Sequence, residues 1–341
     1  MINKITIILM FLFSCKETNV NRYLERHILI ANIDTKKNLL IYSYWKDKDY
    51  AIKVEDLKTD KMLFFFKIKD KSFTEPKIHK NKICFPESND SFICIDYKRN
   101  AILWRIQTKG RVREFQYVND DMIIASIDSY GIVAINSNSG KVMYELLLHV
   151  DQNCSVDNAP RPITYDVNYF YVADFNCNSV VAYNILSGEK VWSINRNSEA
   201  FSNLIVAGKY IFVGSNDSYK TGEIMLLEAK TGKLIYQHES KFEIMCNPIY
   251  YRNKIYYYTY DSKLNEFDIE NRSSKIIYSF SQEDDISGNQ IYPLDNFLYI
   301  QDLNFNLNRI DLSTFQKEFI QKSPKGLLGV YKINTETKFL Y

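Results

Sequence analysis

Residues 182–192 read AYNILSGEKVW, and residues 134–144 read AINSNSGKVMY. Each runs from an apolar pair to an Asn, through polar turn residues, into an apolar run closed by an aromatic. The same pattern recurs outward in both directions, as VEDLKTDKMLF (54–64), CIDYKRNAILW (94–104), LLEAKTGKLIY (226–236), EFDIENRSSKIIY (266–278) and RIDLSTFQKEF (309–319). The closing aromatics are Phe64, Trp104, Tyr144, Trp192, Tyr236, Tyr278 and Phe319, separated by 40, 40, 48, 44, 42 and 41 residues. A second column stands in register upstream: NLLIYSYW (38–45), NKICF (81–85), DMIIASI (121–127), NYFYVAD (168–174), KYIFVGS (209–215), NKIYYYTY (253–260) and NFLYIQD (296–302). Seven copies with two columns in register are an internal repeat, and a repeat decides the fold before any single element does.

Alternation at period two marks strands, and the Asp or Asn with the following Ser/Thr-Gly-Lys step marks a hairpin turn. Gly140, Gly188 and Gly232 supply the positive φ such a turn needs. Where Gly is absent, Asp60 and Asn100 tolerate that conformation, and Gln316 is a poor substitute. About 42 residues hold four short strands. One such sheet leaves both apolar faces uncovered, so the units must stack, and radial stacking gives a β-propeller. The expected fold is all-β, with seven four-stranded blades favoured and eight the alternative. The closing aromatics are expected to wedge between blades, each burial contributing roughly 1.5–3 kcal/mol. Residues 28–45 supply two strands ahead of the first motif. The tail GLLGVYKI (326–333) and KFLY (338–341) is expected to clasp the N-terminal blade or to help form an eighth.

AYNILSGEKVW and AINSNSGKVMY resemble the tryptophan-docking repeat of pyrroloquinoline-quinone-type propellers, A-x-D-x-x-T-G-K-x-x-W. The resemblance covers about residues 28 to 320. It implies a propeller similar in style to the lipid-anchored scaffold of the outer-membrane barrel-assembly machinery, which is typically eight-bladed. The quinone enzymes sharing the repeat use a vicinal cysteine pair, a stacking Trp and a Glu-Asn-Asp metal set. This chain has no adjacent cysteines, and two of its three Trp residues, at 45, 104 and 192, are docking positions. The repeat carries over and the cofactor does not: no cofactor and no metal are expected.

The first residues form an address. Lys4 precedes the apolar run Ile5 to Phe13, too short to span a bilayer, and Leu12-Phe13-Ser14-Cys15 resembles the bacterial lipoprotein signal. That resemblance implies a signal peptide over residues 1–14, lipidation at Cys15, a tether over 15–26 and a single propeller domain over 27–341. Acyl chains would then hold the protein at the bacterial outer membrane, facing the periplasm or the surface. Of the five remaining cysteines, Cys154 and Cys177 sit in polar, loop-like surroundings and are the candidate disulfide. Cys84 and Cys94 lie in apolar runs, where Cys behaves as a small hydrophobe. No C-x-x-C spacing supports zinc.

Composition excludes other classes. The chain of 341 residues is 46% hydrophobic and 25% charged, with 43 basic against 41 acidic residues. It is neither disordered nor basic enough for a nucleic-acid binder. The four histidines are scattered, and no nucleophile elbow, Walker loop or G-x-G-x-x-G occurs. Lysine runs such as KIKDKSF and KIHKNK read as the wet side of outer strands. The 48-residue interval contains an insertion whose Asp151, Asp157 and Arg161 form the candidate contact loop. The expected function is a non-catalytic, lipid-anchored, monomeric scaffold that binds an envelope protein. The alternatives are an envelope hydrolase or lyase working in the central funnel, or a glycan or small-ligand receptor.

Overall fold

The computed structural model describes residues 28–34, 36–147, 163–174, 179–195, 204–217, 221–242, 244–281, 290–302, 304–323, 326–327, 329–333 and 335–340. Its strands form seven four-stranded antiparallel meanders. Blade 1 holds β1 (Ile28–Asp34), β2 (Leu39–Lys46), β3 (Asp49–Asp56) and β4 (Lys61–Ile68). Blade 2 holds β5 (Lys77–His79), β6 (Lys82–Pro86), β7 (Ser91–Asp96) and β8 (Ala101–Gln107). Blade 3 holds β9 (Val112–Tyr117), β10 (Met122–Ile127), β11 (Gly131–Asn136) and β12 (Val142–Leu146). Blade 4 holds β13 (Ile163–Tyr165), β14 (Tyr169–Asp174), β15 (Ser179–Asn184) and β16 (Lys190–Asn195). Blade 5 holds β17 (Leu204–Ala207), β18 (Tyr210–Asp217), β19 (Thr221–Glu228) and β20 (Leu234–Ser240). Blade 6 holds β21 (Ile244–Tyr251), β22 (Lys254–Thr259), β23 (Lys263–Asp268) and β24 (Ser273–Ser279). Blade 7 holds β25 (Tyr292–Leu294), β26 (Phe297–Gln301), β27 (Asn306–Asp311) and β28 (Lys317–Lys322). A two-stranded sheet follows, β29 (Gly329–Ile333) and β30 (Glu336–Leu340).

The first strand of each blade is innermost, for β9, β13, β17 and β21 lie successively against one another, as do β25 and β29. The middle strands are buried on both faces: every residue of β7 and of β10 is buried. They therefore read as near-continuous apolar runs rather than as the expected strict alternation, because each blade is sandwiched between two others. Alternation survives in outer strands such as β8.

Apolar cores lie between consecutive blades. Ile41, Val54 and Phe64 of blade 1 meet Ile83, Phe85 and Ile93 of blade 2, and the pattern continues to blade 7. The tail closes the ring. Val330 and Phe339 pack with Tyr299 and Leu307 of blade 7, while Tyr331 and Leu340 pack with Leu40, Tyr42 and Leu57 of blade 1. The tail strands hydrogen-bond to each other and stand between blade 7 and blade 1, in an eighth position of the ring.

The turns between third and fourth strands explain the acid or amide in the motif. Asp56, Asp96, Asn136, Asn184, Asp268 and Asp311 each accept two backbone N–H bonds, from the residues two and three places on. This is the Asx geometry that lets a side chain stand in for a backbone turn. The left-handed position is taken by Gly140, Gly188 and Gly232 at φ 71 to 73° and by Asp60 and Asn100 at 54 and 52°. In the last two turns it falls to Arg272 and to Phe315 at φ 52 and 57°; Gln316, the expected position, is passed over.

At Asp268 the backbone N–H of Asn271 and then the Lys254 ammonium hold the carboxyl well below its usual range. A carboxyl depressed on folding stabilises above its unfolded value, near 3.9, and loses that contribution as the pH falls through the folded value. Asp268→Asn keeps an acceptor for the turn but removes the charge. Urea midpoints measured from pH 5 downward are expected to fall less steeply in the variant than in the parent, and parallel curves would contradict this.

Cys84 and Cys94 differ from the expectation of two separate small hydrophobes. They face each other across β6 and β7 with Cα atoms 4.1 Å apart and are joined as a disulfide, both fully buried. The Tyr117 hydroxyl donates to Cys84 Sγ at 2.8 Å.

Candidate functional site

Antiparallel meanders put two kinds of connection on opposite faces. Turns between first and second strands, and between third and fourth, share one face. Hairpins between second and third strands, and the linkers between blades, share the other.

On the turn face the docking residues meet the next blade. The Trp104 ring lies over the Gly140 turn, Tyr144 over Gly188 and Trp192 over Gly232; a Cβ on each glycine would stand 2.8, 2.6 and 2.7 Å from the ring. Trp104 Nε1 donates to the Ser137 carbonyl at 2.9 Å, the Tyr144 hydroxyl to Ile185 at 2.7 Å and Trp192 Nε1 to Ala229 at 2.9 Å. Phe64 meets Tyr97 edge-on, Tyr236 tilts against Phe267, and Tyr278 joins the core with Leu312 and Phe315. Phe319 departs from the column. Arg309 pairs with Glu318 where Ala182 pairs with Trp192, because the bulge falls after the aromatic, between Leu307 and Asn308, and so leaves it out of phase. It stands 58% exposed.

At the inner rim hydrogen bonds and one ion pair form a line across four blades. Asn32 Nδ2 donates to Glu75 Oε1 at 2.6 Å, and Lys77 Nζ lies 3.7 Å from Glu75 Oε2. Lys77 also donates to Gln116 at 2.9 Å, Gln116 to Glu114 at 3.0 Å, and the Ile163 N–H to Glu114 at 3.2 Å. Burial, and then the charge of Glu75, push the Tyr292 phenol upward. Both carboxylates are engaged by neighbouring blades, an arrangement that ties the ring together. Among the described residues no cluster of three His, Cys, Asp or Glu could hold a metal ion, and no helix is long and apolar enough to cross a membrane.

The linker face carries a strip of aromatic and cationic side chains. Trp45, at the end of β2, and Phe73, in the linker to blade 2, are 44% and 45% exposed. Lys71 Nζ sits 4.3 Å from the Trp45 ring centre and 5.9 Å from that of Phe73, and the Arg111 guanidinium is 5.0 Å from Phe73. The strip continues to blade 3, where Lys109 lies 4.5 Å over the Tyr130 ring and donates to its hydroxyl at 2.6 Å. Exposed rings flanked by Lys and Arg are the composition of interface hot spots, and each cation–π contact is worth about 0.5–1 kcal/mol at such sites.

Sequence reading missed this strip. Trp45 had no role, and KIKDKSF, which holds Lys71 and Phe73, read as the wet side of an outer strand. KIHKNK is also differently placed. Lys77 lies at the inner rim, and Lys82 is buried, donating to Ser137 Oγ at 2.8 Å and Asn138 Oδ1 at 2.6 Å. Cys15, Cys154, Cys177 and the loop residues Asp151, Asp157 and Arg161 lie outside the described residues. A cleft of about 320 Å³ between blades 5 and 6 is lined by Lys209, Tyr210, Tyr250, Asn253, Glu270 and Arg272. Asn253 and Glu270 bond each other there at 2.8 Å.

The family model described as outer membrane protein assembly factor BamB matches residues 74–204 and 176–275. Among proteins of established function none matches the sequence significantly. Solved structures similar in fold include the computationally designed Ika8 protein (TM-score 0.71, 12% identity, 92% of this chain and 93% of that one). Another is BamB from Moraxella catarrhalis, at TM-score 0.58 and 14% identity over 80% of this chain and 79% of that one. A third is KlHsv2 with loop 6CD replaced by a Gly-Ser linker, at TM-score 0.61 and 14% identity over 86% of this chain and 97% of that one.

Proposed function

Because this chain belongs to the family of the outer membrane protein assembly factor BamB, we propose that it is a non-catalytic scaffold of the bacterial envelope that binds another protein through its linker face. The observation that carries the reading is the strip Trp45, Lys71, Phe73 and Arg111, whose half-exposed rings are available to a partner without disturbing the core. The lipid anchor at Cys15 completes the proposal. The Cys84–Cys94 disulfide supports an exported address, since such bonds persist in oxidising compartments. At the inner rim, Glu75 and Glu114 are held by Asn32, Lys77 and Gln116, which favours a structural role for them over catalysis.

Cross-linked capture from solubilised envelopes, with mass spectrometry of both chains, tests the proposal. The bait is expected to begin at an acylated Cys15 and to bring down one stoichiometric protein. The double variant Trp45→Ala/Phe73→Ala is expected to keep the acyl mass and the melting temperature and to lose the partner, because truncating hot-spot residues typically costs about 2 kcal/mol or more. Equal recovery by parent and variant would refute the linker face. A second reading, a receptor for anionic glycans, draws on the same exposed rings and cations. It predicts quenching of Trp fluorescence by soluble acidic oligosaccharides in the parent and none in the variant.

A further inference from the structure

Two departures from the repeat meet at one place on the turn face. The residue directly before the second strand is an Asn in five blades and Asp121 in blade 3, but Lys209 in blade 5. From that place Asn253 donates to Glu270 at 2.8 Å and Asn296 to Asp311 at 3.0 Å, each tying two turns of its own blade. The Lys209 side chain makes no such bond among the described residues, and its ammonium stands 5.3 Å from the Tyr210 ring centre. The second departure is in the turn between third and fourth strands. Its left-handed position is Gly140, Gly188 or Gly232 in blades 3 to 5 and Arg272, at φ 52°, in blade 6. Glycine takes that backbone at no steric cost and a residue with a side chain does not. The Arg272 guanidinium has no hydrogen-bond or ion-pair partner among the described residues.

Both cations line the cleft of about 320 Å³ between blades 5 and 6, a volume within the range of small-molecule sites. The cleft rests on the apolar core of that junction through Ala207 and Ile269, both buried. Tyr250, 38% exposed, donates to Asn253 Oδ1 at 2.8 Å, and the bond from Asn253 to Glu270 Oε1 continues the line, so the carboxylate is held by one of its two oxygens. A Cβ on Gly208 would meet nothing within 4 Å, so the cleft is open on the blade 5 side. Two cations and one carboxylate among the lining residues leave it a net charge of +1.

We propose that this cleft binds a pyranose carrying one carboxylate, a uronic-acid sugar either free or at the end of a glycan. Arg272 and Lys209 would take the carboxylate, the guanidinium through paired N–H donors and the ammonium as a point charge. Glu270 would accept from ring hydroxyls, which a sugar has and an acidic side chain lacks. Tyr210 and Tyr250 supply rings with an apolar body and a polar tip, suited to a pyranose with its apolar C–H face and polar edge. A net charge of +1 suits one carboxylate better than a phosphate monoester, which carries nearly two negative charges at neutral pH. The inference goes beyond the scaffold reading and does not depend on it. It uses the face opposite the strip at Trp45 and Phe73.

The test is titration calorimetry of the full chain with D-glucuronate, D-glucose and D-glucose 6-phosphate. Glucuronate is expected to bind saturably, and the neutral and the phosphorylated sugar at least about ten-fold more weakly. Lys209→Asn and Arg272→Gly each restore the residue that other blades carry at that place, so both are expected to keep the parent's melting temperature or exceed it. Each is expected to weaken glucuronate about ten-fold, in line with loss of one charge-assisted hydrogen bond. Trp45→Ala/Phe73→Ala is expected to leave glucuronate binding unchanged, which separates this site from the linker face. Methyl glucuronide distinguishes the two sources of the sugar: binding equal to glucuronate assigns the cleft to a glycan end, and loss of binding assigns it to the free acid. Absence of glucuronate binding, binding insensitive to both Lys209→Asn and Arg272→Gly, or equal binding of glucose would overturn the proposal. A preference for glucose 6-phosphate would overturn it in favour of a phosphate site.

Discussion

Trp104→Ala is expected to destabilise the protein by about 3–5 kcal/mol, the usual range for emptying a buried aromatic site. The ring is 6% exposed and sits between two blades, edge-on to Phe92 at 5.4 Å and over the Gly140 turn. The indole also donates to the Ser137 carbonyl at 2.9 Å, and an alanine leaves that acceptor without its donor. Such an orphaned buried group costs about 1–3 kcal/mol, though the two penalties overlap. The urea midpoint reads the loss. Trp104→Phe should recover most of the packing and none of the hydrogen bond. Phe319→Ala is the internal comparison: it alters the same motif column at a ring that is 58% exposed, and a change within about 0.5 kcal/mol is expected. A loss below 1 kcal/mol at Trp104, or equal losses at both positions, would show that these rings do not hold blades together.

Gly188→Val is the second large effect. Gly188 has φ +73°, and a Cβ there would meet the Tyr144 ring at 2.6 Å. The left-handed conformation costs a residue with a side chain roughly 1–2 kcal/mol, and overfilling a packed contact about 1–3 kcal/mol more. Gly208 separates the two contributions, because it has φ +64° with nothing within 4 Å of its Cβ position. Gly208→Val should therefore show the backbone contribution alone. If both valine variants melt together, the close approach of Tyr144 is not what the glycine serves.

The docking column was legible because its determinants are local. An Asx oxygen, a left-handed position and an aromatic fall within eleven residues, and in Trp104, Tyr144 and Trp192 the bulge before the aromatic recurs at the same place. It failed at Phe319, where pairing Glu318 with Arg309 turns the ring to the other face. A shift of one residue inverts a strand's facing, and no composition signal announces it. The left-handed residue of the same turn was misplaced by one for a similar reason, Phe315 in place of Gln316. The Cys84–Cys94 bond did leave a signal that was passed over. The two are equidistant from Asn89 in the hairpin turn, so antiparallel pairing had to set them opposite each other. Their apolar context suggested burial, and burial and pairing are compatible.

The linker-face strip could not be read in this way. Trp45 and Lys71 meet only after the chain has completed blade 1 and crossed toward blade 2.

From the residues alone came the repeat, its all-β blades and their turns, since each of these depends on contacts made within about forty residues. Which rings bury and which cations gather on one face were decided only when the blades closed on one another. Those outcomes depend on the register and the neighbour of each sheet, and a neighbour is a property of the assembled ring.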